Sequence, residues 1–197
     1  MLESDHMPKL GMEPIRRSAL VEATIAEIGA KGSLDVTVGQ IARRAGMSTA
    51  LAHHYFGGKD QIFIAAMRQI LRDFGAEVRR ALKHSPCAHS RARALITASF
   101  APSCFAPETI SAWMTLYASA QNNAETRRLL SLYQRRLHSN LTFALRGLSP
   151  APLRDAELLG ALIDGLYLRA ALARSLSADR ARQVALVTLD TLIGTSK

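Results

Sequence analysis

The stretch TVGQIARRAGMSTALAHHYFGGKD, Thr37 to Asp60, starts and stops two helices within a few turns of chain. Thr37 and Gln40 have the S/T-x-x-E/Q form of a capping box, and Val38, Ile41, Ala42 and Ala45 give the helix that follows one apolar face. Gly46 breaks it. Ser48 is placed to cap a second short helix, in which Ala52 and Phe56 lie four apart on the buried side, and Gly57-Gly58 ends it. Two short helices joined by a turn of three to four residues containing glycine make a helix-turn-helix. The N-terminal third is thereby committed to a small helical domain.

The rest of the chain repeats the 3.6-residue period. Val21, Ile25 and Ile28 predict a first helix over about 14–30, stopped by Gly32. Phe63, Met67, Ile70, Phe74 and Val78 form the inner stripe of a long helix from Lys59 to Lys83. Breaks at His84-Ser85-Pro86, Pro102 to Pro107 and Ser149 to Pro152 separate helices near 89–100, 107–121, 124–146, 152–175 and 178–193. Hydrophobic residues make up 48% of the 197, with Ala and Leu abundant and few β-branched runs, so the expected fold class is all-α. Residues 7–58 are expected to form a three-helix helix-turn-helix domain and 59–197 a second helical domain. The opening MLESDHM reads as a cloning remnant before a natural start at Met7, and residues 1–6 are set aside.

No run of about 18 apolar residues occurs and the start lacks a basic-then-apolar leader, so a cytoplasmic protein with no membrane partner is expected. Cys87 and Cys104 are expected to be free thiols. The net charge of +9 points to a polyanionic partner. Between Thr37 and Lys59 stand Arg43, Arg44 and Lys59 and no acid.

In a helix-turn-helix the second helix of the motif enters the major groove, with its outward N-terminal residues on base edges and phosphates. With Ala52 and Phe56 inside, Thr49, Ala50, His53 and His54 face outward. Thr49 and Ala50 are small enough to approach bases, where a methyl group can pack on thymine. His53, His54, Tyr55 and Lys59 are candidates for phosphate, with Thr37, Arg43 and Ser48 completing the surface. The alternative, a metal site, fails on geometry: consecutive helical residues diverge by about 100° and do not readily chelate one ion. His84, Cys87, His89 and Cys104 fit no closed zinc spacing. No metal and no cofactor are expected. No serine or cysteine is set beside a base in a recognisable motif, which argues against an enzyme.

The order and spacing of QIARRAGMSTALAHHYFGGKD resemble the DNA-binding domain of TetR-type repressors. That pattern usually has Gly at position 50 and Tyr at position 53, where this chain has Ala50 and His53, so imidazole stands in place of the usual tyrosine–phosphate contact. MPKLGMEPIRR (7–17), SAWMTLYAS (111–119), RRLHSNL (135–141) and ALIDGLYLRAAL (161–172) narrow the resemblance to the BetI-type branch, choline-responsive repressors of glycine betaine synthesis genes. The resemblance implies a DNA-binding domain over 7–58, an effector-binding and dimerisation domain over 59–197, a homodimer paired through the last two helices, an inverted-repeat operator in double-stranded DNA, and choline as effector.

A quaternary ammonium offers no donor hydrogens and is held by aromatic faces and a nearby negative charge. Trp113 and Tyr117 share one helix face, Asp164 and Tyr167 another, and the four are expected to line one cavity. BetI-type proteins tend to carry tryptophan where Tyr117 and Tyr167 stand, which bears on affinity. From spacing alone the three aromatics serve equally well as core. Asp164, in the apolar run Leu158 to Leu172, is costly to bury unpaired and calls for Arg169, another arginine or a ligand cation. Gly165 suggests close approach of a neighbouring helix, within the chain or across a dimer. A different lipophilic or cationic effector is the alternative.

Overall fold

The structure is a computed structural model that describes residues 11–32, 35–173 and 175–194; residues 1–6 lie outside that range. Among the described residues there are nine helices and no strand: α1 Met12–Lys31, α2 Val38–Arg44, α3 Thr49–Phe56, α4 Lys59–Lys83, α5 Ala88–Ser99, α6 Pro107–Ala120, α7 Ala124–Leu145, α8 Pro152–Ala173 and α9 Ala178–Leu192. Each lies within two residues of its expected bounds, because the caps that set them are visible in the chain. Thr37 and Gln40 form the capping box, and the Ser48 hydroxyl accepts from the Leu51 N–H at 3.2 Å. Gly46 turns the chain at φ 67°, a conformation that L side chains rarely adopt. No helix among the described residues is long and apolar enough to cross a membrane.

The N-terminal unit closes over Leu20, Ile28, Val36, Ile41, Ala42 and Ala52, all at most 1% exposed. Phe56 is only half-buried, and the Arg17 guanidinium of α1 covers its ring, 4.3 Å from the centroid. α4 leaves this unit at Gly58, and its residues Phe63, Met67, Ile70 and Val78 point into the core as their period requires. α5 to α9 pack with α4 around Leu95, Ile96, Phe100, Leu116, Leu141, Ile163 and Leu189.

The first and second units meet where α1 crosses the start of α6. A Cβ built on Gly29 would stand 2.7 Å from the Cα of Glu108, so the two backbones touch and only glycine fits. Gly29→Ala must push the helices apart, and overpacking of this kind costs about 1–3 kcal/mol. The thermal midpoint of the variant is expected to fall by about 2–4 °C per kcal/mol; an unchanged midpoint in a calorimetric scan would contradict the packing.

Candidate functional sites

The outward surface of α2 and α3 carries the expected polar set. Thr37, Arg43, Ser48, Thr49, Ala50, His53 and His54 are exposed, while Tyr55 and Lys59 are half-buried. Three details refine the expectation. Arg44, counted in the cationic window, is bound by Glu27 of α1 at 2.5 Å, so its charge is compensated from outside that window. Tyr55 packs toward α1: its hydroxyl is 3.5 Å from Arg16 and its carbonyl accepts from Arg17 at 2.6 Å. Arg17 thus fixes the C-terminal end of α3, a role that sequence spacing did not reveal.

The third concerns His53, whose Nδ1 lies 2.8 Å from the Gly57 carbonyl. A carbonyl only accepts, so Nδ1 carries the proton, and in the neutral ring Nε2 is an acceptor. Donation from Nε2 to a phosphate would therefore need the imidazolium, and such a contact would be charge-assisted. His53→Ala is expected to weaken operator binding about tenfold and to reduce the salt slope by about one. Equal affinities for parent and variant across a salt series would remove His53 from the interface.

The second site is a cavity of about 300 Å³ between the helices of the C-terminal unit and α1, near the lower end for small-molecule pockets. Its aromatic wall is Trp113, Tyr133, Tyr167 and Phe74. The Trp113 and Tyr133 centroids are 4.4 Å apart, Trp113 and Tyr167 6.4 Å, and Phe74 and Tyr133 6.1 Å in an edge-on pair. The Tyr167 hydroxyl is fixed by the carbonyls of Ser99 at 2.5 Å and Cys104 at 3.0 Å, so the ring rather than the hydroxyl is offered to the space. Burial raises the Tyr133 and Tyr167 phenols well above their ordinary value and keeps both neutral. The charged lining residues Asp73, Glu77 and Arg80 all come from α4, and Ile25 reaches in from α1, across the expected boundary at residue 58.

Of the four expected effector residues, two line this cavity. Tyr117 and Asp164 do not: the Tyr117 hydroxyl donates to Asp164 Oδ1 at 3.0 Å, and Asp164 borders a separate groove with Gln134, His138 and Gly160. Packing is the reason, because Trp113 turns its ring toward Tyr133 while Tyr117, one turn on, faces α8. Asp164 is partnered by Tyr117 and Gln134, whereas Arg169 is exposed. Burial pushes the Asp164 carboxyl up, against the hydrogen bonds from Tyr117 and Gln134 that pull it down.

The folded state therefore binds that proton more tightly than the unfolded chain, and its stability falls as pH rises from the ordinary aspartate value near 3.9 to the raised one. Asp164→Asn keeps an acceptor for Tyr117 and removes the charge. The variant is expected to match the parent at the acid end of that window and to melt a few degrees higher at neutral pH. A lower neutral-pH midpoint for the variant would show that the charge is compensated.

Cys87 caps α5, accepting from the Ser90 N–H. Cys104 lies in the cavity wall, where burial raises its thiol to about 11 and keeps it protonated at neutral pH. Among the described residues no three His, Cys, Asp or Glu side chains are grouped to hold a metal.

The outer face of α8 carries a stripe at alternating spacings of three and four: Leu158, Ala161, Gly165, Leu168 and Leu172. The leucines are 49%, 48% and 78% exposed, and a Cβ on Gly165 would meet nothing within 4 Å. Among the described residues, no neighbouring helix fills the space that a Gly165 side chain would take. Val187 of α9 is also exposed.

An N-terminal helix-turn-helix joined through a long helix to a second helical unit is the architecture of a DNA-binding transcriptional regulator. Residues 20–66 match the family model of bacterial regulatory proteins of the tetR family, and residues 88–194 match that of the BetI-type transcriptional repressor C-terminal domain. The chain is 52% identical over 183 residues to the HTH-type transcriptional regulator BetI of Brucella suis biovar 1, covering 92% of each protein. It is 51% identical over 168 residues to that of Rhizobium meliloti, covering 84% of this chain and 83% of that protein. The chain belongs to the TetR family of transcriptional regulators, with a BetI-type C-terminal domain. It is a DNA-binding repressor and not an enzyme. The fold is shared with a transcriptional regulator from Pseudomonas aeruginosa PAO1 (TM-score 0.77, 25% identity, 94% and 93% of the chains). It is shared as well with one from Saccharomonospora viridis in complex with choline (TM-score 0.79, 23% identity, 88% and 95% of the chains).

Proposed function

We propose that this protein is a homodimeric repressor of genes converting choline to glycine betaine, bound to an inverted-repeat operator and released by choline. The observation that carries the reading is the cavity walled by Trp113, Tyr133, Tyr167 and Phe74. Aromatic faces attract a quaternary ammonium by their quadrupoles, with tryptophan the strongest. The choline complex of the Saccharomonospora viridis regulator supports the same ligand class. Dimerisation is supported by the α8 stripe, whose small residues Ala161 and Gly165 let a second copy of the helix come close.

Choline relieves repression only if it binds the off-DNA state more tightly, and DNA then weakens choline binding by the same factor. The test is binding of the purified protein to a fluorescent DNA fragment from upstream of its own gene, titrated with choline at fixed salt. Release by choline and not by betaine or ethanolamine is the expected result. DNA binding indifferent to choline would retain the repressor and redirect the cavity to another lipophilic or cationic ligand. A thermal-shift panel would identify it, since a ligand at 100 times its Kd stabilises by about 2.7 kcal/mol.

A further inference from the structure

Resting on the quaternary-ammonium reading of the cavity, we propose that the effector's positive charge is read on α4 by Asp73 and Glu77, with Arg80 as a built-in cation that the effector displaces. The aromatic wall alone leaves the charge of a bound cation only partly compensated. The charged groups bordering the cavity are Asp73, Glu77 and Arg80, and Asp164, the acid that sequence spacing offered for this purpose, borders a different groove. Asp73 and Glu77 are four residues apart and share one face of α4.

Their present partners can yield at little cost. Glu77 Oε2 accepts from Arg80 Nη1 at 2.6 Å, the glutamate side chain being 25% exposed and the arginine 67%. Asp73 Oδ1 accepts from Gln69 Nε2 at 2.8 Å. Arg80 can swing into water, where its charge is well solvated, while Glu77 stays at the cavity wall. Exposed pairs at this spacing contribute little, so a cation held on aromatic faces competes with Arg80 on favourable terms. Glu77 is half-buried and Asp73 exposed at the cavity rim, and the charge of both reaches the wall, adding to the upward shift that burial imposes on Cys104.

Two consequences follow for selectivity and coupling. An uncharged molecule of choline's shape fills the aromatic box but cannot replace Arg80, and an anion is repelled by both acids. The charge contact also falls on the helix that begins beside the recognition helix, with Asp73 about 21 Å along α4 from Lys59.

Calorimetric titration of the full chain with choline and with 3,3-dimethyl-1-butanol, its uncharged isostere, tests the assignment. The parent is expected to prefer choline by about tenfold or more. Glu77→Gln and Asp73→Asn should each lower choline affinity several-fold and leave the isostere unchanged, whereas Arg80→Gln should raise choline affinity. General damage to the site would lower both ligands in every variant, so the opposite signs at positions 77 and 80 identify the charge contact. Choline affinity unchanged in Glu77→Gln and Asp73→Asn would overturn this proposal alone. A parent that binds no choline would overturn it together with the reading on which it rests.

Discussion

Leu168→Arg combined with Leu172→Arg is expected to yield a folded monomer that has lost operator binding. Both side chains are largely in solvent within one chain, at 48% and 78% exposure, so charging them leaves the thermal midpoint of the isolated subunit nearly unchanged. In a dimer they would face their symmetry mates, and four added guanidinium groups would lie in a desolvated seam. A monomer presents one recognition helix to one half-site. Its affinity should drop toward the non-specific level, a loss of about 10³-fold or more. Sedimentation or light scattering reads the mass and anisotropy the affinity. A double variant that remains dimeric with parental affinity would mean that the subunits pair through another face.

Trp113→Ala should leave the operator bound and deafen the protein to choline. The indole stands between Tyr133 and Tyr167 with its centroid 4.4 Å and 6.4 Å from theirs, and losing a desolvated cation–π face costs about 2 kcal/mol or more, roughly 30-fold in affinity. Removing a 5%-exposed indole also leaves a hole worth about 3–5 kcal/mol of stability. Trp113→Phe controls for that. It keeps most of the apolar volume and a weaker π face, so its choline affinity should fall between parent and alanine variant while its midpoint stays close to the parent's. If Trp113→Ala still releases DNA at the parent's choline concentration, the ligand does not sit in this cavity.

The helices were legible because their signals are local: a capping box at Thr37, a serine at 48, glycines at 46 and 57, and apolar residues at steady spacing. Which residues of α3 face outward was legible for the same reason, since Ala52, buried, and Phe56, half-buried, mark its inner side. The aromatic cavity was only half legible. Tyr133 and Phe74 occupy the inner stripes of their helices, and the period that marks a core residue is identical to the one that marks a residue lining a space within the core. Whether a gap stands there depends on how α1, α4, α6, α7 and α8 stack, which no single window of sequence contains. Asp73 and Glu77 lie off the apolar stripe of α4, where spacing carries no sign of a cavity. Asp164 drew notice as an acid in an apolar run, yet its partner Tyr117 lies 47 residues away.

The first helix of this protein is shared property. Its residue Ile25 is part of the wall around the cavity, and eight residues earlier, about 12 Å along the same axis, Arg17 grips the main chain of α3 at Tyr55. One turn beyond Ile25, Gly29 bears backbone to backbone on α6, the helix that carries Trp113. Helix α1 is therefore a strut with one stretch set in the wall of the aromatic cavity and another clamped to α3. Little more than two turns of helix separate that wall from that clamp, so a displacement of α1 at the cavity would reach α3 with no relay of rotating side chains.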